Sequence, residues 1–238
     1  MAQARATALN ENKKGFALIA VMAVAAGLLY CSWPLAAYLN PIIAAHHGFA
    51  SEFGAPGQPY DWLFDVLDVV SGIAVLVVTY VLWRRPHQRN RWLNMALLSY
   101  GAFGVLTVVD VLVPMSCLPS IQACGSVWHD PQLIIHGVAN ALSSFLLLFS
   151  AFLLWRLAHI KSSEVGVTVY VILLGWTMFG ILSIIYYLYS GPGYLAQQFF
   201  ITISSLWVIV MPIMYVKLHE LPRKSSVTSR SKKRALAR

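Results

Sequence analysis

The sequence predicts an all-α fold, a polytopic membrane protein built as a six-helix transmembrane bundle, and three observations carry that prediction. Only 11% of the 238 residues are charged and 58% are hydrophobic, whereas about a quarter of residues are charged in a soluble domain. The apolar residues fall in long blocks separated by short polar gaps, and each block is long enough to cross roughly 30 Å of hydrocarbon. The 17 Lys and Arg residues are confined to four stretches: the N-terminus (Arg5, Lys13, Lys14), Arg84 to Arg91, Arg156 to Lys161, and Lys217 to Arg238. Alternate loops thus hold all the positive charge, which the positive-inside rule places in the cytoplasm together with both termini.

A net charge of +8 would point to nucleic acid in a soluble domain. Here the cations flank apolar blocks, so no nucleic-acid partner is expected and the implied partners are membrane lipids. Three regions follow: a cytoplasmic N-terminal segment (1–15), a six-helix membrane domain (16–217), and a basic cytoplasmic tail (218–238). The tail has Ser and Thr among its Lys and Arg residues and no hydrophobic period, so it is read as disordered. The first apolar block lacks a small-residue cleavage site and is read as a retained helix rather than a signal peptide.

The first helix is expected over Phe16 to Leu39, with Trp33 and Pro34 near its outer end. An external loop, NPIIAAHHGFASEFGAPGQPY, follows; its Gly and Pro content argues for a turn-rich cap rather than another helix. The second helix is expected over Asp61 to Trp83 and the third over Trp92 to Met115, joined by the cytoplasmic RRPHQRNR, with Trp83 and Trp92 at the inner interface. A second external loop, SCLPSIQACGSVWHDP, ends in Asp130 and Pro131, an N-cap and first-turn pair for the fourth helix, which runs to about Ala158. The fifth helix is placed over Glu164 to Tyr189, with a tight SGPGY turn outside and Tyr186, Tyr187 and Tyr189 in an interfacial belt. The sixth is placed over Leu195 to Val216. No internal repeat is visible, which removes one support for an inverted-repeat transporter.

Four of the nine acidic residues fall in outer halves of membrane helices: Asp61, Asp65 and Asp68 in the second and Asp110 in the third. Spacings of four and three put Asp61, Asp65 and Asp68 on one face, which Ser71 and Gly72 continue inward. A carboxylate near the bilayer centre costs roughly 2.5–3.5 kcal/mol on insertion scales, so these groups must face the bundle interior or water. No external half contains a Lys or Arg to neutralise them. His136, one turn into the fourth helix, lies at similar depth to Asp65 and Asp110, with Asn140, Ser143 and Ser144 on its face. Asp65, Asp68, Asp110 and His136 are therefore the candidate catalytic residues. A divalent metal is compatible with this set, although its identity is not legible.

Each group also has a plainer role. Asp61 reads best as a helix cap, and His136 can serve packing by bonding an Asp. His46 and His47 lack metal-ligand spacing; with Glu52, His129 and Asp130 they are groups that a folded-over loop can bring to the same vestibule. The sixth helix adds a weaker stripe of Gln198, Thr202 and Ser205. Cys117 and Cys124 share one external loop, and an oxidising exterior favours a disulfide closing it. Cys31 is a lone helix thiol that packs.

The run SEFGAPGQPYDWLFDVLDVVSG, followed by an Asp near the end of the third helix, a Cys pair and a His in the fourth, resembles a family of prokaryotic membrane proteins, domain of unknown function 998. The likeness covers the chain from the first helix to the sixth. It implies a bundle of six or seven helices in a bacterial plasma membrane, with no established activity. The first external loop leading into a second-helix face is similar to the DRAM and Sfk group of eukaryotic membrane proteins. The Ser-x3-His and His-x3-His signatures of the zinc hydrolases related to alkaline ceramidases and adiponectin receptors are absent.

These residues fit three functions. One is a protein that binds or modifies a lipid whose head group meets the Asp/His cluster from the outer leaflet. A second is a proton- or cation-coupled transporter, although the inner helix halves offer no ionisable residues to complete a path. The third is a noncatalytic scaffold or sensor in which the acidic stripe only joins helices. Because the cluster opens to one side, the lipid reading leads. Whether the protein is an enzyme, and its oligomeric state, are not legible.

Overall fold

The computed structural model describes residues 2–85, 90–122, 124, 129–161, 163–190 and 194–220. The tail from 221 onward, the centre of the RRPHQRNR run, most of GSVWH and the SGPGY turn lie outside the described residues, as do the side chains of Tyr186, Tyr187 and Tyr189. Among the described residues the chain is helical without strands: α1 (Ala2–Tyr30), α2 (Trp33–Leu39), α3 (Pro41–Ala45), a 3₁₀ turn (Ala50–Glu52), α4 (Asp61–Arg84), α5 (Arg91–Leu112), α6 (Pro131–Lys161), α7 (Ser163–Ser190) and α8 (Tyr194–Glu220). Six stretches are long and apolar enough to span a membrane, the first being Gly15–Leu39 across α1 and α2.

The first expected helix is broken. Pro34 lacks an N–H and its ring would meet the Tyr30 carbonyl in a continuous helix, so α1 stops at Tyr30 and α2 restarts at Trp33. The loop after it holds a short helix, α3, where none was expected. Asn40 and Pro41 form the cap and first-turn pair that starts it: the Asn40 side chain accepts from Ile43 N–H at 3.4 Å and donates to Gln58 at 3.1 Å. The third span ends at Leu112, short of the expected Met115, because Pro114 disfavours helical backbone at the residue before it.

The spans form a closed ring. α1 packs on α4 and α8, α4 on α5, α5 on α6, α6 on α7, and α7 on α8, with α6 and α8 also touching. The α4–α5 seam is tight because Gly72 faces Gly104: a Cβ on either glycine would lie within 2.8 Å of the other's carbonyl oxygen. Small residues allow this approach where apolar burial gives no drive between helices in lipid.

Midway along the spans, the ring is filled by Tyr100, Phe103, Trp176 and Trp207, all fully buried. Their polar atoms are satisfied across helices: Trp207 Nε1 donates to Ser150 Oγ at 2.8 Å, Trp176 Nε1 to Ser204 Oγ at 3.0 Å, and Tyr100 hydroxyl to the Val208 carbonyl at 2.9 Å. Trp92 lies beneath the guanidinium groups of Arg91 and Arg156, each 4.8 Å from its ring centre. At the end away from the basic stretches a smaller cluster, including Ile43, Phe53, Phe64, Met115 and Leu118, seats the loops as a roof. Between the two layers the bundle is hollow.

Candidate functional site

The hollow is a cavity of about 620 Å³ bounded by residues from α1, α2, the 3₁₀ turn and α4 through α8. Asp65, Asp68, Asp110 and His136 all line it, so four groups from three helices meet in one chamber. Three local features put them there. Asp65 and Asp68 are three residues apart on α4, one helical turn. Asp110 occupies the last turn of α5. His136 lies about one turn inside α6, whose start is fixed by Asp130: its Oδ1 accepts from the Gln132 and Leu133 N–H groups at 2.9 and 3.2 Å, and its Oδ2 accepts from Ser116 Oγ at 2.5 Å. The Ser116 hydroxyl and the Leu133 and Gln132 amides hold this carboxyl below the usual carboxylate range.

His136 is 7% exposed. Its Nδ1 lies 3.0 Å from the Val113 carbonyl and 3.2 Å from Asp110 Oδ1. A carbonyl oxygen can only accept, so Nδ1 carries the proton and donates it to Val113. The Asp110 oxygen is close enough to stabilise an imidazolium but has no hydrogen-bond partner of its own. The second imidazole nitrogen, Nε2, is enclosed and equally unpartnered. Both acceptors are closed off even to water, and each unpaired acceptor costs about 1–3 kcal/mol.

Asp68 lies within electrostatic reach of Asp65 and Asp110, and Asp68 and Asp110 both lie within reach of the Tyr30 hydroxyl. Asp65 is approached by the roof: a Cβ on Gly54 would lie 3.1 Å from its Oδ1, so glycine lets the loop cover this carboxyl. Asn140, Ser143 and Ser144 also line the cavity, although the Ser143 hydroxyl is spent on the Asn140 carbonyl at 2.8 Å.

Several expected contributors do not reach the chamber. Glu52 is fully buried beside it as a latch, accepting from Phe49 N–H and from the backbone and hydroxyl of Ser120. Asp130 is a cap, and His46, His47 and His129 are absent from the cavity wall. Asp61 ties Gly57 N–H at 2.9 Å, the structural role expected of it. The sixth-span stripe is also turned away: Thr202 accepts from Trp33 Nε1 at 3.1 Å and Ser205 bonds its own helix. Gln197, Phe200 and Ile201 line the wall instead, and Gln197 Oε1 accepts from Ala50 N–H at 2.8 Å, tying the roof to α8. Tyr30, Thr107 and Gln197 escaped the sequence reading because each is an isolated polar group with no period to mark it. Cys117 and Cys124 are joined as a disulfide in the loop that holds Ser120. Among the described residues, no group of three or more His, Cys, Asp or Glu side chains is arranged to hold a metal ion.

The fold defines a multi-pass membrane protein with a cavity among its spans. The chain belongs to the family described as protein of unknown function (DUF998), whose profile matches residues 23–214. The likeness to DRAM and Sfk proteins has no counterpart among these matches. Lipoprotein signal peptidases from Burkholderia multivorans and Burkholderia cenocepacia are each 28% identical to it over 116 residues, 48% of this chain and 67% of theirs. No solved structure matches the chain.

Proposed function

We propose that this protein is a membrane-embedded hydrolase that takes a lipid-bearing substrate into the chamber and cleaves an acyl bond there. The observation that carries the reading is the meeting of Asp65, Asp68, Asp110 and His136 on the wall of one cavity whose described lining holds no Lys or Arg. Such a set holds both a base and an acid for a water molecule in the cavity. The Asp110 carboxylate would take a proton from that water as its oxygen attacks the acyl carbon, and His136, with Nδ1 3.2 Å from Asp110 Oδ1, would hold that carboxylate in place. Asp68 or Asp65, protonated, would supply a proton to the leaving group as the acyl bond breaks. The likeness to lipoprotein signal peptidases supports the same reading, since that name denotes cleavage of a lipid-bearing chain.

The positive-inside rule would put the disulfide end outside the membrane and the basic stretches, with both termini, in the cytoplasm; the family resemblance points to a bacterial plasma membrane. The division into segment, membrane domain and basic tail is part of the same proposal. Transport draws less support, because a path to the other end would have to cross the packed layer of Tyr100, Phe103, Trp176 and Trp207.

The test uses the full chain in lipid nanodiscs with a diacylglycerol and, separately, a diacylglyceryl-cysteine peptide with a free α-amine, products being read by mass spectrometry. Wild type should release acyl or peptide product, and Asp110→Asn and His136→Ala should each cut the rate by about 10²–10⁴ while keeping the wild-type melting profile. Elemental analysis of the same samples checks for metal. Product formation unaltered by either substitution would sink the assignment.

A further inference from the structure

At the roofed end, no described atom packs at Gly137 on the α6 face that meets α7 at the basic end. Trp155 packs on Tyr170 of α7, ring centres 6.4 Å apart. About five turns earlier on the same face lies Gly137, with Ala141 and Ser144 beside it. Ala141 is exposed and yet lines the cavity. On the α7 side the cavity wall is Gly180. A Cβ on Gly137 or on Gly180 would meet no described atom within 4 Å. The α1–α8 seam, by contrast, is closed, since a Cβ on Gly27 would lie 2.7 Å from the Ser205 carbonyl.

The mouth lies inside two membrane-spanning stretches, Pro131–Ile160 and Glu164–Leu182. Its surroundings are exposed and apolar: Val138, Leu142 and Phe145 on α6, Met178 and Ile181 on α7. The gap therefore opens onto the lipid-facing surface. Inside, the charge has one sign. Asp65, Asp68 and Asp110 line the chamber, and no Lys or Arg occurs between Gly15 and Trp83, between Trp92 and Trp155, or between Ser162 and Val216.

We propose that the chamber admits its ligand sideways from the lipid phase, between α6 and α7, and selects amphiphiles whose polar end is an amine rather than a phosphate or sulfate. An ammonium group supplies both the positive charge and the donors that three carboxyls call for, while the chain stays in the apolar mouth. An anionic head would meet three carboxyls and no Lys or Arg in the described chamber wall. This inference rests on the chamber holding an amphiphile, as in the proposed function, and is independent of whether a bond is then broken.

The experiment uses the full chain in nanodiscs and three probes with one chain length: 11-bromoundecylamine, 11-bromoundecyl sulfate and 11-bromoundecanol. Bromine quenches tryptophan, and Trp33 lines the chamber, so stopped-flow fluorescence reads saturable binding and its rate. The amine should bind at least about tenfold tighter than the sulfate, and the double variant Asp68→Asn/Asp110→Asn should lose that preference. Gly180→Phe and Ala141→Phe, on opposite sides of the mouth, should each slow association by about tenfold or more; Ile73→Phe, on the outward face of α4, should not. Absence of saturable binding, equal affinity for the sulfate, or unchanged association in both mouth variants would overturn the proposal. Amine binding without any acyl product would defeat the hydrolase reading and leave this one standing. Product formed without amine preference would do the reverse.

Discussion

Glu52 should control how firmly the chamber is roofed. Its carboxylate is fully buried and accepts three hydrogen bonds, from Phe49 N–H at 2.8 Å, Ser120 N–H at 3.2 Å and Ser120 Oγ at 2.6 Å. The first joins the two ends of the 3₁₀ turn; the other two fasten the disulfide loop to it. In Glu52→Ala the hydroxyl can turn elsewhere, but two backbone donors lose their acceptor, each at about 1–3 kcal/mol. Partial access of water to the loop brings the total to about 3 kcal/mol, which is ~150-fold in a local opening equilibrium. Hydrogen exchange followed by mass spectrometry should show amides around Phe49 and Ser120 exchanging faster by about that factor, while the buried helix amides around Tyr100 and Trp207 stay protected. Glu52→Gln, which keeps one acceptor oxygen but presents an NH₂ group to the remaining donors, should fall between. Protection around Ser120 within about threefold of wild type in Glu52→Ala would refute the latch.

Replacing Cys117 and Cys124 by Ser opens a loop with a sequence separation of 7 and should destabilise the roof by roughly 2–3 kcal/mol, read as faster proteolysis of that loop with helix content unchanged. Acid should loosen the start of α6 through Asp130. Its carboxyl is held low by the Ser116 hydroxyl and the Leu133 and Gln132 amides, so its contribution is complete above the unfolded pKa of about 3.9 and is lost as pH falls through the lower folded value. Melting temperature should drop below about pH 4 in wild type, and Asp130→Asn should flatten that slope; an identical slope in the variant would count against the cap. Gly104→Leu should be among the most damaging single changes, since its Cβ alone would sit 2.8 Å from the Gly72 carbonyl. Separating α4 from α5 should cost about 3 kcal/mol or more, and a wild-type melting temperature would disprove the tight seam.

Much of this was legible in the sequence. Spans can be read from a linear string because hydrocarbon offers the backbone no partners, so every crossing must be a long apolar helix. The same reasoning marked Asp65, Asp68, Asp110 and His136, because an ionisable group in such a segment has to face inward, and all four line the cavity. The Cys117–Cys124 pairing was legible because both thiols fall in one short loop.

Only the tertiary structure decided which polar groups share the chamber and which serve as fasteners. Glu52 and Asp110 look alike as isolated acidic residues, yet one is consumed by three donors and the other keeps a bare oxygen beside an imidazole. Gln197 and Gln198 are adjacent, and helix rotation about α8 puts the first in the cavity wall. The tautomer of His136 follows from the Val113 carbonyl, 23 residues away. Helical periodicity says which residues share a face; which face meets which neighbour is set by side-chain packing between helices brought together from across the chain.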